Sequence, residues 1–133
     1  MLRVNIVTDT RYPVNRKTIR KAIADTLNLN KMLSGELEVS VAVVGKRKMG
    51  YITDEFVKDG KSHEVLAFPF EELTQELKSG FINSPDGILR LGDIVLCWPE
   101  VLLSAARDDV LVDDEVYTLT AHAVEHLLGN HHE

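Results

Sequence analysis

Apolar residues along this chain follow two rhythms. In LRVNIVT, Leu2, Val4 and Ile6 alternate with polar neighbours, the period of a half-buried strand. ELEVSVAVV repeats that rhythm at Leu37, Val39, Val41 and Val43. Between them, NRKTIRKAIADTLNLN places Ile19, Ala22, Ile23 and Leu27 on one side of a predicted amphipathic helix. KRKMGYITDEFVK keeps helical spacing at Met49, Ile52 and Phe56, weakened by Gly50. HEVLAFP is a short strand stopped by Pro69. LGDIVLC is another strand, entered through the turn-like NSPDG. WPEVLLSAARDD starts a helix that tolerates Pro99 in its first turn. The last helix is predicted to open at DDEVY, with Asp113 as N-cap, and to end at Gly129. Its core stripe is Val116, Leu119, Thr120, Ala123 and Leu127. The order is βαβαββαα. Strands and helices mix without strict alternation, which predicts an α+β fold with a helix-flanked mixed sheet. No repeat or linker interrupts it, so residues 1–133 are expected to form a single domain.

Composition narrows the setting. The N-terminus lacks a basic segment followed by a long apolar run, so no signal peptide is expected. Apolar runs such as VSVAVV are too short to span a membrane. Cys97 is the only cysteine, which excludes an intrachain disulfide and suits a cytoplasmic protein. Any zinc site must then rely on His, Asp or Glu. The net charge of −6 argues against a broad nucleic-acid surface. Cations nevertheless cluster at Arg16, Lys17, Arg20 and Lys21, at Lys46, Arg47 and Lys48, and at Lys58 and Lys61. Solvated faces are the plainest reading of these clusters, and a local basic cleft remains open.

Four of the five histidines fall in the closing HAVEHLLGNHHE. They are interrupted by AVEHLLG, unlike the unbroken run of a purification tag. His122 and His126 are one turn apart, separated by about 40° of rotation, at the edge of the core stripe. Two imidazoles so placed on a rigid helix can share one Zn²⁺. Gly129 lets the chain leave the helix, and His132 follows on the returning segment. His131 competes as third ligand, and the frame H-x-x-x-H-x-x-G-x-x-H selects His132. Three protein ligands leave a fourth position for water, the pattern of a catalytic zinc site. The frame has the spacing of metzincin proteases, whose general base follows the first histidine. Ala123 stands there, and Glu125 points about 80° away from the histidine pair, which disfavours a metalloprotease. HAVEH also fits the H-x-x-E-H pattern, but too little chain follows for the further ligand that class needs.

With those residues in place, the chain resembles the YbeY family of bacterial rRNA maturation endoribonucleases. The family's ligand segment, approximately H-G-x-L-H-L-x-G-Y-D-H, is matched by His122-Ala-Val-Glu-His126-Leu-Leu-Gly129-Asn-His131-His132. Its T-D-V-L-S-F-P is matched by His63-Glu64-Val65-Leu66-Ala67-Phe68-Pro69. Its L-G-D-I-x-I-C is matched by Leu91-Gly92-Asp93-Ile94-Val95-Leu96-Cys97. The resemblance implies a small αβα metallohydrolase-like domain and one zinc ion per chain, held by His122, His126 and His132. It further implies cleavage of single-stranded RNA near the 3′ end of small-subunit rRNA, ribosome quality control, and association with the small ribosomal subunit. The chain departs from the pattern at several points. Val57, with Lys58 beside it, stands where the family has a phosphate-contacting Arg, and Lys lacks the bidentate guanidinium fork. His131 replaces an Asp, His63 replaces a Thr, and the chain ends at Glu133, before the family's C-terminal helix.

The expected chemistry is metal-assisted phosphodiester hydrolysis. Lys58 would stabilise developing negative charge, and His63 would exchange protons if the fold brings it near the metal. Asp93 reads as a strand-entry residue bonding backbone, and Cys97 as a buried apolar residue. The rival reading is a ribosome-associated protein with weakened catalysis that keeps the metal for stability.

Overall fold

The computed structural model describes residues 1–9, 11–32, 35–70 and 87–130. Its elements run in the predicted order. They are β1 (Leu2–Thr8), α1 (Arg16–Leu29), β2 (Glu36–Val44), α2 (Lys46–Ile52) with a π-helical turn over Thr53–Val57, β3 (Val65–Pro69), β4 (Ile88–Cys97), α3 (Trp98–Asp108) and α4 (Val112–Leu127). The sheet order is β1-β2-β4-β3. β1, β2 and β4 are parallel, and β3 lies antiparallel to β4 at the edge. No helix among the described residues is long and apolar enough to cross a membrane.

The alternating strand residues divide between two layers. Leu37, Val39, Val41 and Val43 of β2 and Leu89, Leu91, Ile94 and Leu96 of β4 pack under α1, α3 and α4. On the other face, Val44, Val95 and Cys97 meet Met49 of α2. The mixed sheet is thus flanked by helices on both faces, as the sequence predicts.

A β-bulge makes this sorting possible. Glu38 pairs with Arg90, but the next residue, Val39, pairs with Gly92, leaving Leu91 extra. The extra residue keeps Leu89, Leu91, Ile94 and Leu96 on one face although their spacing breaks the period of two. It also turns Asp93 outward, where it is exposed. The sequence reading put Asp93 near the strand entry. It instead lies mid-strand, opposite Ser40 and Phe68, because β4 begins at Ile88. Gly92 has φ +144°, and a Cβ there would run into the Phe68 carbonyl oxygen and approach Leu127 Cδ2 to 2.9 Å. The missing side chain lets the end of α4 settle against the sheet.

Two details of α4 differ from expectation. Its N-cap is Leu111, with no side-chain cap, and Asp113 lies inside the first turn, where its carboxylate accepts from Asn15 Nδ2 at 3.0 Å. Asn15 is itself the N-cap of α1, so Asp113 ties the starts of two helices together. Glu115 of the DDEVY opening, an acid in the first turn that the helix dipole favours, is buried at 6 % exposure.

Candidate metal centre

The C-terminal end of α4 is held from two sides. Gly129, at φ +83°, terminates it. The Gly129 N–H donates to the His126 carbonyl (3.0 Å) and the Asn130 N–H to the Glu125 carbonyl (2.9 Å), the paired bonds of a Schellman cap. The Glu125 side chain turns away from the histidines. Its Oε1 accepts from Asn30 Nδ2 at 2.8 Å and its Oε2 from Asn130 Nδ2 at 2.7 Å. Glu125 therefore fastens α4 to the end of α1 and is not placed as a general base for the histidine pair.

His122 is exposed and His126 half-buried. Their Nε2 atoms stand 3.0 Å apart, with ring centroids at 4.5 Å and planes 79° apart. Two nitrogens on one tetrahedral Zn²⁺, each about 2.05 Å from it, would be about 3.3 Å apart. The pair therefore fits a shared metal with a shift of a few tenths of an ångström. For both Nε2 atoms to ligate, each ring must carry its proton on Nδ1. Among the described residues no three His, Cys, Asp or Glu side chains form a metal-sized cluster. The predicted third ligand, His132, and its competitor, His131, lie outside the described residues.

The pair opens into a cleft of about 500 Å³ between α4 and the edge strand, walled by Glu64, Val65, Leu66 and Ala67 opposite Leu119, Ala123 and the histidines. The Cys97 N–H donates to the Glu64 carbonyl at 2.9 Å. That bond sets the alternation, turning the backbone of Leu66 toward β4 and that of Val65 and Ala67 toward the outer edge. Among the described residues, Glu64 is the one carboxylate in the cleft wall. It pairs with Arg107 at 3.6 Å, and Asp108 first, then Glu64, raise the guanidinium pKa. The sequence reading did not single out Glu64. Its signal was its place at the head of EVLAFP, the strand that proves to face the histidines.

The other two predicted catalytic residues are placed elsewhere. His63 Nε2 meets Asp59 Oδ2 at 2.9 Å and lines a separate cleft of about 140 Å³ with Lys46, Lys61, Cys97 and Glu100. Lys58 is exposed in a left-handed conformation (φ +59°), closing the π turn with its N–H on the Thr53 carbonyl at 2.7 Å. Neither side chain lines the histidine cleft. The structure unites His122 with His126 and sets His63 and Lys58 apart from them. Cys97 is buried as expected, and burial pushes its thiol pKa up.

Comparison with known proteins agrees with this architecture. The family model described as Endoribonuclease YbeY matches residues 5–133. Similar relatives include Endoribonuclease YbeY of Renibacterium salmoninarum, 33 % identical over 102 residues, covering 76 % of this chain and 62 % of that protein. The Bartonella quintana protein of the same name is 28 % identical over 137 residues, covering 100 % and 82 %. The Streptomyces coelicolor one is 37 % identical over 99 residues, covering 72 % and 58 %. The match thus spans less than two thirds of the length of some of these relatives. The solution structure of TM1509 from Thermotoga maritima shares the fold, with a TM-score of 0.58 at 20 % identity, covering 100 % of this chain and 75 % of that one. With a family model spanning nearly its whole length, the chain belongs to the endoribonuclease YbeY family.

Proposed function

We propose that this protein is a metal-dependent endoribonuclease of rRNA maturation, acting on single-stranded RNA at the 3′ end of small-subunit rRNA in the cytoplasm, in association with the small ribosomal subunit. The observation that carries this reading is the convergence of His122 and His126 Nε2 atoms, 3.0 Å apart, in a cleft beside an edge strand. His122 and His126, joined by His132, would hold one Zn²⁺, which when bound supplies Lewis acidity toward phosphate oxygens and a more acidic water. The protein's own part is positional. The Schellman cap and the Glu125 bridge hold α4 rigid, so the two imidazoles keep their spacing. Val65 and Ala67 face the cleft with apolar surface. Glu64, in the cleft wall and paired with Arg107, would act as the proton acceptor. His63 and Lys58, outside that wall, take on contacts to the flanking RNA backbone rather than proton transfer in the cleft.

Metal content and cleavage of a single-stranded small-subunit 3′-end RNA test this together. About one zinc per chain is expected, with cleavage stopped by a chelator, and His126→Ala should lose both. Full cleavage by metal-free protein would overturn the metal-dependent reading. One tightly held zinc with no cleavage would favour the rival, a metal-stabilised ribosome-associated protein.

A further inference from the structure

The largest cleft among those described lies away from the histidines. It holds about 780 Å³ at the carboxyl ends of the parallel strands β1 and β2, where open α/β sheets bind ligands. Four cations line it, Arg11, Lys46, Arg47 and Lys48, against one acid, Asp9. This is a local excess of positive charge in a chain of net charge −6. Arg11 is engaged by Asp9 at 3.1 Å and Lys46 by Glu100 at 3.4 Å. Among the described residues no acid pairs with Arg47 or Lys48.

Two tyrosines complete the cleft. Tyr12 is fixed: its ring packs 6.5 Å from Trp98, and its hydroxyl lies where a Cβ on Gly45 would come within 2.5 Å. Tyr51 is 61 % exposed, with the Arg47 guanidinium 6.0 Å from its ring and Arg47 Nε donating to its hydroxyl at 3.3 Å. An open aromatic face beside unpaired cations is the chemistry that takes a base and its neighbouring phosphate. A duplex offers no free base face, so the pattern suits a single strand.

Shared and successive residues lead from this cleft toward the histidine pair. Lys46 is shared with the 140 Å³ cleft of Lys61 and His63, and the residue after His63 is Glu64, the first in the wall of the histidine cleft. From β1 to β3 the path crosses three strand spacings, about 14 Å. We propose that the Tyr51–Arg47–Lys48 cleft is a single-stranded RNA subsite, and that the strand runs from it past Lys61 and His63 into the histidine cleft. The identity of the ligand rests on the nuclease reading. The site itself rests on the charge, the tyrosines and the Lys46 shared with the neighbouring cleft.

The test is anisotropy of a labelled single-stranded oligoribonucleotide on the full chain, wild type and His126→Ala, across a salt series. Tyr51→Ala should weaken binding at least about fivefold, the low end of one base stack. Arg47→Gln with Lys48→Gln should weaken it about tenfold and make the log–log salt slope shallower by about 1.4, two phosphates' worth. All three positions are exposed, and unchanged thermal unfolding would confirm intact folding. Affinity and salt slope unchanged in every variant would overturn the subsite, even if metal-dependent cleavage is found. Binding that depends on Tyr51 and the two cations, in a zinc-loaded protein that cleaves nothing, would uphold the subsite while removing the nuclease reading.

Discussion

Glu115 shows how a single residue can depart from its sequence signal. An acid in the first turn of a helix ordinarily faces water and favours the helix dipole. Here it is buried, its Oε2 has no hydrogen-bond partner, and its pKa is raised by burial first, then by the nearby charge of Asp108, with Glu64 adding to it. A raised folded-state pKa means the folded protein holds the proton more tightly than the unfolded chain. The protonated acid therefore supports the fold fully below the ordinary glutamate value of 4.5, and that support is lost as pH rises through the raised folded value. Glu115→Gln removes the charge and keeps the shape. It should stabilise the protein at pH 7 by about 1 kcal/mol, the scale of one unsatisfied buried group. The advantage should shrink as pH falls through the raised folded value toward 4.5 and be largely gone below it. Urea unfolding of both proteins at pH 7 and pH 4 measures this, and a gap independent of pH would show that ionisation is not its cause. By contrast, His122 and His126 were legible from spacing alone, because i and i+4 on a helix fixes proximity without any tertiary knowledge. Glu64 was not, because its partners in the cleft wall lie about 55 residues further along the chain.

At the scale of elements, the alternating and helical patterns located every described strand and helix, since burial on one face leaves its period in the chain. The failures were at positions governed by neighbours. Asp113 looked like an N-cap but is held by Asn15 of another helix. The bulge at Leu91–Gly92 was hidden because LGDIVLC reads acceptably as a plain strand, and only the pairing with Glu38 and Val39 exposes the extra residue. Gly92 joins that bulge to the site. Its backbone lies under Leu127, the residue after His126, so a side chain there must push α4 outward or distort β3 at Phe68. Gly92→Ala should cost about 2–5 kcal/mol, from an unfavourable φ together with overpacking. In the fraction that folds, zinc should bind more weakly than in the wild type. Denaturant titration and zinc competition against a chromophoric chelator measure the two effects. Full stability with weakened zinc binding would place the strain in the site alone, and wild-type values for both would show that the contact with Leu127 is not restrictive.

The order β1-β2-β4-β3 sets what the whole molecule can do, and it left no local trace in the sequence. Parallel partners are joined through intervening helices, so nothing between β2 and β4 announces that they pair, or that β3 ends at the edge beside α4. Yet that order brings EVLAFP opposite the histidine helix. The metal should then couple to the stability of the whole fold. A zinc ion bound by the native chain alone adds about 2.7 kcal/mol at a hundredfold excess over its Kd. For a chain of this size that raises Tm by roughly 10 °C. Zinc should raise the Tm of the wild type by that amount and leave His122→Ala and His126→Ala unchanged. His132→Ala and His131→Ala decide the third ligand, because the true ligand should lose most of the shift and its neighbour almost none. A full shift in both would mean that two imidazoles on α4 suffice to hold the ion, and the frame closed by Gly129 would then be a helix terminus and nothing more.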